Sequence, residues 1–575
     1  MNLFGVDVRA LDVEAFLAAA RHLFPLFALA WLVLVVRLRR PSVLLLGVLL
    51  ANVYAWLETN WPLQRLYALG PSSDRVNNLA LCQVVAAGHS PLHTPQVGQM
   101  HFEPFWAMVT AIVSGWSPPR LLAIYPFFPV VMACGFALSL FFALRPLASA
   151  EAPRAPAEVP AEDGAWSGWE RALIALFATL LSSTALDYAG PYRVPWAMTF
   201  LLKPNHSLGL VLFPWVLRSF AGIRGWRGRL TAGLLLHVLG WAFVIHMGEV
   251  CVGLVCLALL AMLMRREDAR REALDVAVAI GINLLVVSPY LVMLFRGYGV
   301  LDSGPRLEIP PSSPHLLEAL TRTAGLTALA VWGAVIAWRR DRMGRVWASQ
   351  TLGALLVWLA YYPLSLLQQA KERDDTYYWL RIHLAVCAAI GAWDLARRLV
   401  GHLDLRPFAS APARAALVAA LALPFTLPYW WSPAHMDLYF ARSLEPLPVE
   451  VTGPAAFLRE HAPTGAVLAG DVTAVRWMSA LAGSPVLLAR DFAAPNDYTV
   501  RASLNEALLR GGPGDPRAEA ARYGVRYVLV TPVLVADLGL RLQDLDARPY
   551  LRRVHLDGDP RGEYVAIYAV SPPPS

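Results

Sequence analysis

Long apolar runs cut this 575-residue sequence into regular lengths, and that punctuation limits the fold more than any short motif. They fall at about 20–36, 42–57, 120–143, 170–187, 207–220, 230–246, 249–264, 274–295, 317–338, 346–365, 379–397 and 414–431. Several hold roughly 17 to 25 residues, the length an α-helix needs to cross a hydrocarbon core of ~30 Å. Inside lipid a helix satisfies its own backbone hydrogen bonds, and these runs are too long and continuous for barrel strands. The expectation is an α-helical polytopic membrane protein with about twelve transmembrane helices.

Composition agrees, at 57% hydrophobic and 16% charged residues. The net charge of +7 does not point to nucleic acid, because the arginines sit in short clusters between apolar runs. Arg37/Arg39/Arg40, Arg218/Arg224/Arg227/Arg229, Arg265/Arg266/Arg270/Arg271, Arg339/Arg340/Arg342/Arg345 and Arg397/Arg398/Arg406/Arg414 all fall in alternate connections, which marks that side as cytoplasmic. The sixth connection on that side, from Ala148 to Trp166, is rich in Ala, Pro and Glu and reads as a flexible linker. The start has no basic n-region and its first apolar run is followed by Arg37, so no cleavable signal is expected and the N-terminus is placed outside. The protein is therefore expected in the cytoplasmic (inner) membrane, with membrane lipids around it.

Two domains are expected, a multi-span domain over 1–432 with a large first outward loop at 58–119, and an extracytoplasmic α/β domain over 433–575. In the tail, candidate strands lie at 466–470, 485–490, 526–531, 552–556 and 564–570. The helices between them, TAVRWMSALAG and PRAEAARYG, end in Gly, which closes a helix easily in the left-handed conformation. The last 140 or so residues hold no cysteine, so no disulfide staples this tail.

The first outward loop carries the most informative stretch, Ser73 to Trp106, which begins at Asp74, continues as an amphipathic stretch, breaks at Gly88 and ends on His101 and Glu103. Asp74 has two readings, a carboxylate that accepts a proton or the N-cap of a helix. His101-x-Glu103 and His246-x-x-Glu249, with Asp74, could supply ligands to a divalent metal, although no spacing matches a zinc signature. The alternative is polar capping of helix ends. His237 and Asn283, in mid-span, are expected to make interhelical hydrogen bonds.

For a phosphate, the candidate cations are Arg75, Arg193, Lys203, Lys371, Arg373 and Arg381. Arg381 lies just inside a span, where it would pair with a phosphate or with Glu372, Asp374 or Asp375. Lys203 and Lys371 are the chain's only lysines, and both fall in outward loops.

The order of these pieces resembles the GT-C fold glycosyltransferases. The pieces are a carboxylate after an early span, then AAGHSPL, HFEPFWAMVTAIVSGWSPPRLLAIYPFFPVV, and late in the chain TYYWLRIHLAVCAAIGAW. More narrowly, the layout is similar to the bacterial branch related to protein O-mannosyltransferases and the aminoarabinose transferases of lipid A. The tail segments GAVLAG, ALAGSPVLLARD, YGVRYVLV and EYVAIYAV are similar to the small outer domain of many such proteins. The resemblance implies transfer of a sugar from a polyprenyl-phosphate donor to a lipid, glycan or protein acceptor on the outer membrane face. It assigns the base or metal-ligand role to Asp74, and donor-phosphate binding to Arg381 with Lys371 or Arg373. Where the family often has Asp-Glu, this chain has Asp74-Arg75, which leaves metal use open. A transporter would be expected to place ionisable groups at mid-bilayer, and a non-catalytic scaffold to lose the loop chemistry.

Overall fold

The computed structural model describes residues 2–3, 6–7, 13–64, 74–92, 104–146, 166–181, 204–297, 324–366, 371–423, 452–488, 497–511 and 514–573. A short antiparallel pair, β1 (Asn2–Leu3) and β2 (Val6–Asp7), precedes α1 (Val13–Leu38) and α2 (Pro41–Gln64). Next come α3 (Asp74–Ala86), α4 (Pro104–Val113), α5 (Pro118–Ile124), α6 (Phe128–Ala143) and α7 (Gly168–Leu176). A run of longer helices follows: α8 (Pro204–Ala221), α9 (Gly225–Ala242), α10 (Val244–Leu263) and α11 (Ala269–Gly297). The run closes with α12 (Ala324–Arg340), α13 (Arg342–Leu366), α14 (Lys371–His402) and α15 (Ala411–Ala422). Proline opens several of these helices, at a position where its missing N–H has no intrahelical partner to lose.

Helix occurs in each of the apolar intervals picked out above. By length and composition, three stretches among the described residues can cross a membrane: Val244–Leu263, Ala269–Met293 and Trp379–His402. Two intervals are less regular than expected. At 120–143 a 3₁₀ turn, Tyr125–Phe127, separates α5 from α6, and Pro126 within it has no backbone N–H to donate to a helical ladder. After α7 the helix widens into a π-turn at Phe177–Leu181.

The chain divides into two compact units. The first comprises Met1–Arg65, Pro129–Val286 and Glu308–Asp437. Glycines set its closest helix crossings. A Cβ on Gly333 of α12 would lie 1.8 Å from the Cys387 carbonyl oxygen of α14, and one on Gly391 would lie 2.3 Å from the Leu329 oxygen. Gly353 of α13 meets Gly253 of α10 in the same manner, its added Cβ falling 2.5 Å from the Gly253 Cα. Such contacts let backbones approach where apolar surroundings give little hydrophobic drive for association.

Charge locks the arginine-rich ends of this unit. Asp275 (1% exposed) accepts from Arg229 Nε at 2.8 Å and Arg342 Nη2 at 2.6 Å. Arg345 donates to Glu272 and Asp268, and Arg340 to the fully buried Glu170. Trp166, at the end of the expected linker, donates its indole N–H to Asp341 at 2.8 Å. The arginine clusters are thus joined to buried carboxylates as well as placed at helix ends.

The second unit comprises Leu66–Phe128, Val287–Leu307 and Leu438–Ser575. Its tail portion runs α16 (Thr452–His461), β3 (Val467–Gly470), α17 (Val472–Ala482), α18 (Tyr498–Arg510), α19 (Arg517–Arg522) and β4 (Val525–Val530). It ends with α20 (Pro532–Leu538), α21 (Leu542–Asp546), β5 (Leu551–Gly558) and β6 (Tyr564–Val570). The sheet order is β3-β4-β6-β5, parallel between β3 and β4 and antiparallel elsewhere. Leu504, Leu508, Val528, Val530 and Tyr568 are among the side chains of its buried core. Of the expected strands, 485–490 is reduced to one bridge, Val486 to Leu468, in its described part.

Helix α3 is built into this second unit. From Asn78 to Ala86 every residue is buried, so the amphipathic expectation is corrected: this helix has no solvated face over that stretch. Its polar Gln83 is covered because Nε2 donates to the Pro118 carbonyl at 3.0 Å. Gly483, left-handed at φ 77°, ends α17 beside Gln83 and Pro118, where a Cβ would lie 3.4 Å from the proline ring. Gly88 (φ 100°) follows the end of α3, as the sequence break there implied.

Candidate functional site

Within the first unit, three helices bring histidine and tryptophan rings together in the halves remote from their arginine-rich ends. Helix α10 contributes His246 and Glu249 from its first turns, at 6% and 4% exposure. Helix α8 contributes His206, and α14 contributes Trp379, Arg381 and His383 at alternate positions.

The His246 ring stacks on Trp379, with centroids 4.4 Å apart and planes at 25°. His383 meets the same indole edge-on at 4.8 Å, and Phe213 lies 5.5 Å from it. His206 approaches His246 at 5.9 Å and packs on Phe243 at 3.9 Å. Gly209 makes room for this arrangement, since a Cβ there would fall 2.4 Å from His246 Nδ1. Trp347 lies 5.9 Å from His383. The sequence permits such a cluster because Gly209 of α8 leaves space for the His246 and Phe243 side chains.

The polar atoms in this cluster are unusual in their satisfaction. Among the described residues, neither ring nitrogen of fully buried His383 makes a hydrogen bond, nor does Nδ1 of His246. A buried polar atom left unmatched costs about 1–3 kcal/mol, so these three nitrogens are not arranged for stability. Arg381, 1% exposed, lies two residues from Trp379 on the same helix, a spacing that turns it off the face that carries Trp379 and His383. Imidazole donors can stabilise negative charge that develops on a phosphate oxygen.

The remaining expected site residues fall in two groups. Asp74 and Arg75 open α3, and Lys371 and Arg373 open α14, with their side chains outside the described residues. Asp74 is thus the first helical residue in its segment, the position the capping alternative required within one residue. His101, Glu103, Arg193 and Lys203 lie outside the described residues altogether. Among the described residues, no three His, Cys, Asp or Glu side chains converge as metal ligands, so His246 and Glu249 complete no metal site there.

The two mid-span polar residues, Asn283 and His237, differ in what they meet. Asn283 donates from Nδ2 to the Met247 sulfur at 3.4 Å, an interhelical hydrogen bond from α11 to α10. His237 instead sits edge-on to Trp241 of its own helix at 5.9 Å, and its Nδ1 makes no hydrogen bond. Sequence reasoning did not single out His383 or Trp379, which lie within an apolar run. The available signal was the i, i+4 spacing of Trp379 and His383, which puts an indole and an imidazole on one helix face at the start of a span.

No family model matches the sequence, and no curated protein matches it. Among solved structures, the apo form of the Archaeoglobus fulgidus oligosaccharyltransferase is similar at a TM-score of 0.48 and 13% identity, over 92% of this chain and 74% of that one. The same protein in complex with Zn and sulfate is similar at a TM-score of 0.46 and 15% identity, over 92% and 73%.

Proposed function

We propose that this protein is an integral-membrane glycosyltransferase of GT-C type that moves a sugar from a polyprenyl-phosphate donor to an acceptor at the outer face of the cytoplasmic membrane. The observation that carries the proposal is the cluster of unmatched imidazole nitrogens on His246 and His383 in the same unit as buried Arg381. Three such nitrogens in an aromatic enclosure suit an anion that comes and goes. A packing role alone would be better served by apolar side chains.

In the proposed reaction the acceptor oxygen attacks the anomeric carbon of the donor sugar. The bond from that carbon to the phosphate oxygen breaks, and polyprenyl phosphate leaves with the bonding electron pair. The acceptor hydroxyl proton passes to a carboxylate, the role the family resemblance assigns to Asp74. Arg381 neutralises the departing phosphate, with Lys371 and Arg373 as further cations and Lys203, Arg75 and Arg193 as outlying candidates. His246 and His383 supply N–H donors to phosphate oxygens. A phosphate is a good leaving group, so the reaction needs no strong general acid, and none of these steps uses a metal.

The positive-inside rule, applied to the arginine-rich ends, supports an orientation with the His246 and Trp379 halves of the helices toward the outer face. The α/β tail, which shares a compact unit with α3, is assigned a supporting or acceptor-binding role. The experiment is transfer from a labelled polyprenyl-phosphate sugar in membranes that contain the full chain. Arg381→Gln and His383→Phe are expected to lower transfer while the protein still accumulates in the membrane. Wild-type transfer by both variants would overturn the assignment of this cluster.

A further inference from the structure

The C-terminal end of α6 carries a concentration of positive charge that the proposed reaction does not use. Three arginines from separate segments meet there: Arg145 just after α6, Arg171 near the start of α7 and Arg218 in the last turn of α8. Arg218 Nη1 donates to the Ala143 carbonyl at 2.6 Å and also to the Arg145 carbonyl. Arg171 Nη1 donates to the Phe141 carbonyl at 2.7 Å, and its guanidinium lies over the Phe141 ring at 4.5 Å. The Arg145 guanidinium lies over the adjoining Phe142 ring at 4.6 Å. Arg145 and Arg218 each repel the charge on Arg171.

Backbone carbonyls account for only part of this cluster. The last carbonyls of a helix attract arginine because they lack intrahelical donors and form the negative end of the helix dipole. That end is equivalent to roughly −0.5 elementary charge, so three guanidinium groups there leave a surplus of about two positive charges. Among the described residues no carboxylate offsets it. Glu170, beside Arg171 in sequence, is fully buried and accepts instead from Arg340 and from the Trp166 backbone N–H. Other arginines of this unit are matched by acids: Arg229 and Arg342 share Asp275, Arg345 has Glu272, and Arg397 and Arg398 share Asp394. The end of α6 has the arginines without the acid.

The surplus charge opens to the surface, since Arg145 is exposed and Arg171 and Arg218 are half-buried. Trp215, one turn before Arg218 on α8, is 40% exposed and donates its indole N–H to Ser139 of α6 at 3.2 Å. Exposed Trp near arginine at the end of apolar helices is the pattern of a membrane–water interface. In the orientation proposed above this is the cytoplasmic interface, where anionic headgroups lie and where basic sites between helices bind them.

From this geometry we infer that Arg145, Arg171 and Arg218 bind the phosphate of an anionic phospholipid headgroup at the end of α6, with an acyl chain lying along the Trp215 side of α8. Arg171 and Arg218 are held in place by the α6 carbonyls, and Arg145 closes on the phosphate from the exposed side. The inference rests on the proposed membrane orientation and not on the proposed reaction.

The test uses the purified full chain in detergent, with lipid binding followed by native mass spectrometry and by thermal shift, so that its outcome is separate from any sugar transfer. Phosphatidylglycerol is expected to bind and stabilise the wild type, and phosphatidylcholine to bind more weakly. Arg145→Glu, a change of two charge units, is expected to weaken phosphatidylglycerol binding roughly thirtyfold. Arg145 is exposed and its side chain holds no carbonyl, so the variant is expected to fold, which its lipid-free thermal stability checks. Arg270→Glu makes the same charge change at an exposed arginine of α11 and is expected to retain binding. Unchanged phosphatidylglycerol affinity in Arg145→Glu, or equal affinity for phosphatidylcholine, would overturn the site. Glycerol 3-phosphate binding as tightly as the lipid would overturn the lipid assignment in favour of a soluble phosphate. Phosphatidylglycerol binding that arises only after Glu158→Gln/Glu162→Gln/Asp163→Asn would overturn it in favour of the chain's own carboxylates.

Discussion

Asp275→Ala is expected to destabilise the membrane unit by about 3 kcal/mol, the low end of the about 3–5 kcal/mol cost of breaking a buried ion pair. The carboxylate is 1% exposed and accepts one hydrogen bond from Arg229 and another from Arg342, whose side chains are each 20% exposed. Its removal strands two guanidinium groups in largely buried positions, and their partial exposure lets solvent recover part of the loss. Asp275→Asn, which keeps the shape and one acceptor oxygen, is expected to cost about 2 kcal/mol, because hydrogen bonds to charged groups are worth about 1.5–3 kcal/mol each and a neutral acceptor recovers part of that. The comparison is Glu506→Ala, which loses a pair with Arg510 in which both side chains are largely exposed (63% and 46%). That loss should be about 0.3–0.5 kcal/mol. Reversible unfolding in mixed micelles, titrated with a denaturing detergent, measures all three. Replacing Arg342 by Met in the Asp275→Ala background should recover part of the loss by removing one stranded charge. An Asp275→Ala cost no larger than that of Glu506→Ala would refute the claim that buried carboxylates lock the arginine-rich helix ends.

Gly333→Val should destabilise the α12–α14 crossing by more than about 2 kcal/mol, because the first added carbon already meets the Cys387 carbonyl oxygen and overpacking of tight contacts costs about 1–3 kcal/mol. The same micelle titration measures it, and Gly281→Val, on α11 with open space at its Cβ, is the matched control. Burial first, and then its hydrogen bond to Asp546, pushes the Tyr568 hydroxyl above the ordinary tyrosine range. The folded state therefore holds this proton more tightly than the unfolded chain does. The resulting stability is full below the unfolded pKa of about 10 and is lost as pH rises from there through the folded value. Alkaline unfolding followed by tyrosinate absorbance should begin at lower pH in the wild type than the ionisation of Tyr568 itself, and Tyr568→Phe should flatten the stability profile in that window.

Much of the architecture is legible in the sequence because one physical requirement, closing backbone hydrogen bonds in an apolar run, produces a long and simple pattern. Helix occurs among the described residues of each apolar interval, and β3, β4, β5 and β6 fall on four of the five candidate strand segments. The fifth, at 485–490, has the composition of a strand, but its described residues make only the Val486 bridge. The character of α3 was less legible, since a helix with polar residues on one side looks solvated until tertiary packing covers them, as Pro118 does for Gln83. Within the candidate site, His246, Glu249 and Arg381 stand out in sequence because ionisable residues are rare near spans. His383 and Trp379 do not stand out, because their significance comes from ring contacts between helices that are distant in sequence. The carboxylates that hold the arginine clusters, Glu170, Glu272 and Asp275, were also hidden, since a charge-distribution rule counts arginines without identifying their partners.

The central proposal is that this chain transfers a sugar from a polyprenyl-phosphate donor, with the proton-accepting role that the family resemblance assigns to Asp74 and the phosphate-binding role that it assigns to Arg381. Its most direct test is single-turnover transfer from a labelled polyprenyl-phosphate sugar, with Asp74→Asn and Arg381→Lys compared against wild type at equal membrane abundance. Loss of a general base typically costs about 10²–10⁴ in rate, so Asp74→Asn should fall by about that factor with donor binding retained, while Arg381→Lys should weaken donor binding. Wild-type rates and donor affinity in both variants would contradict the account.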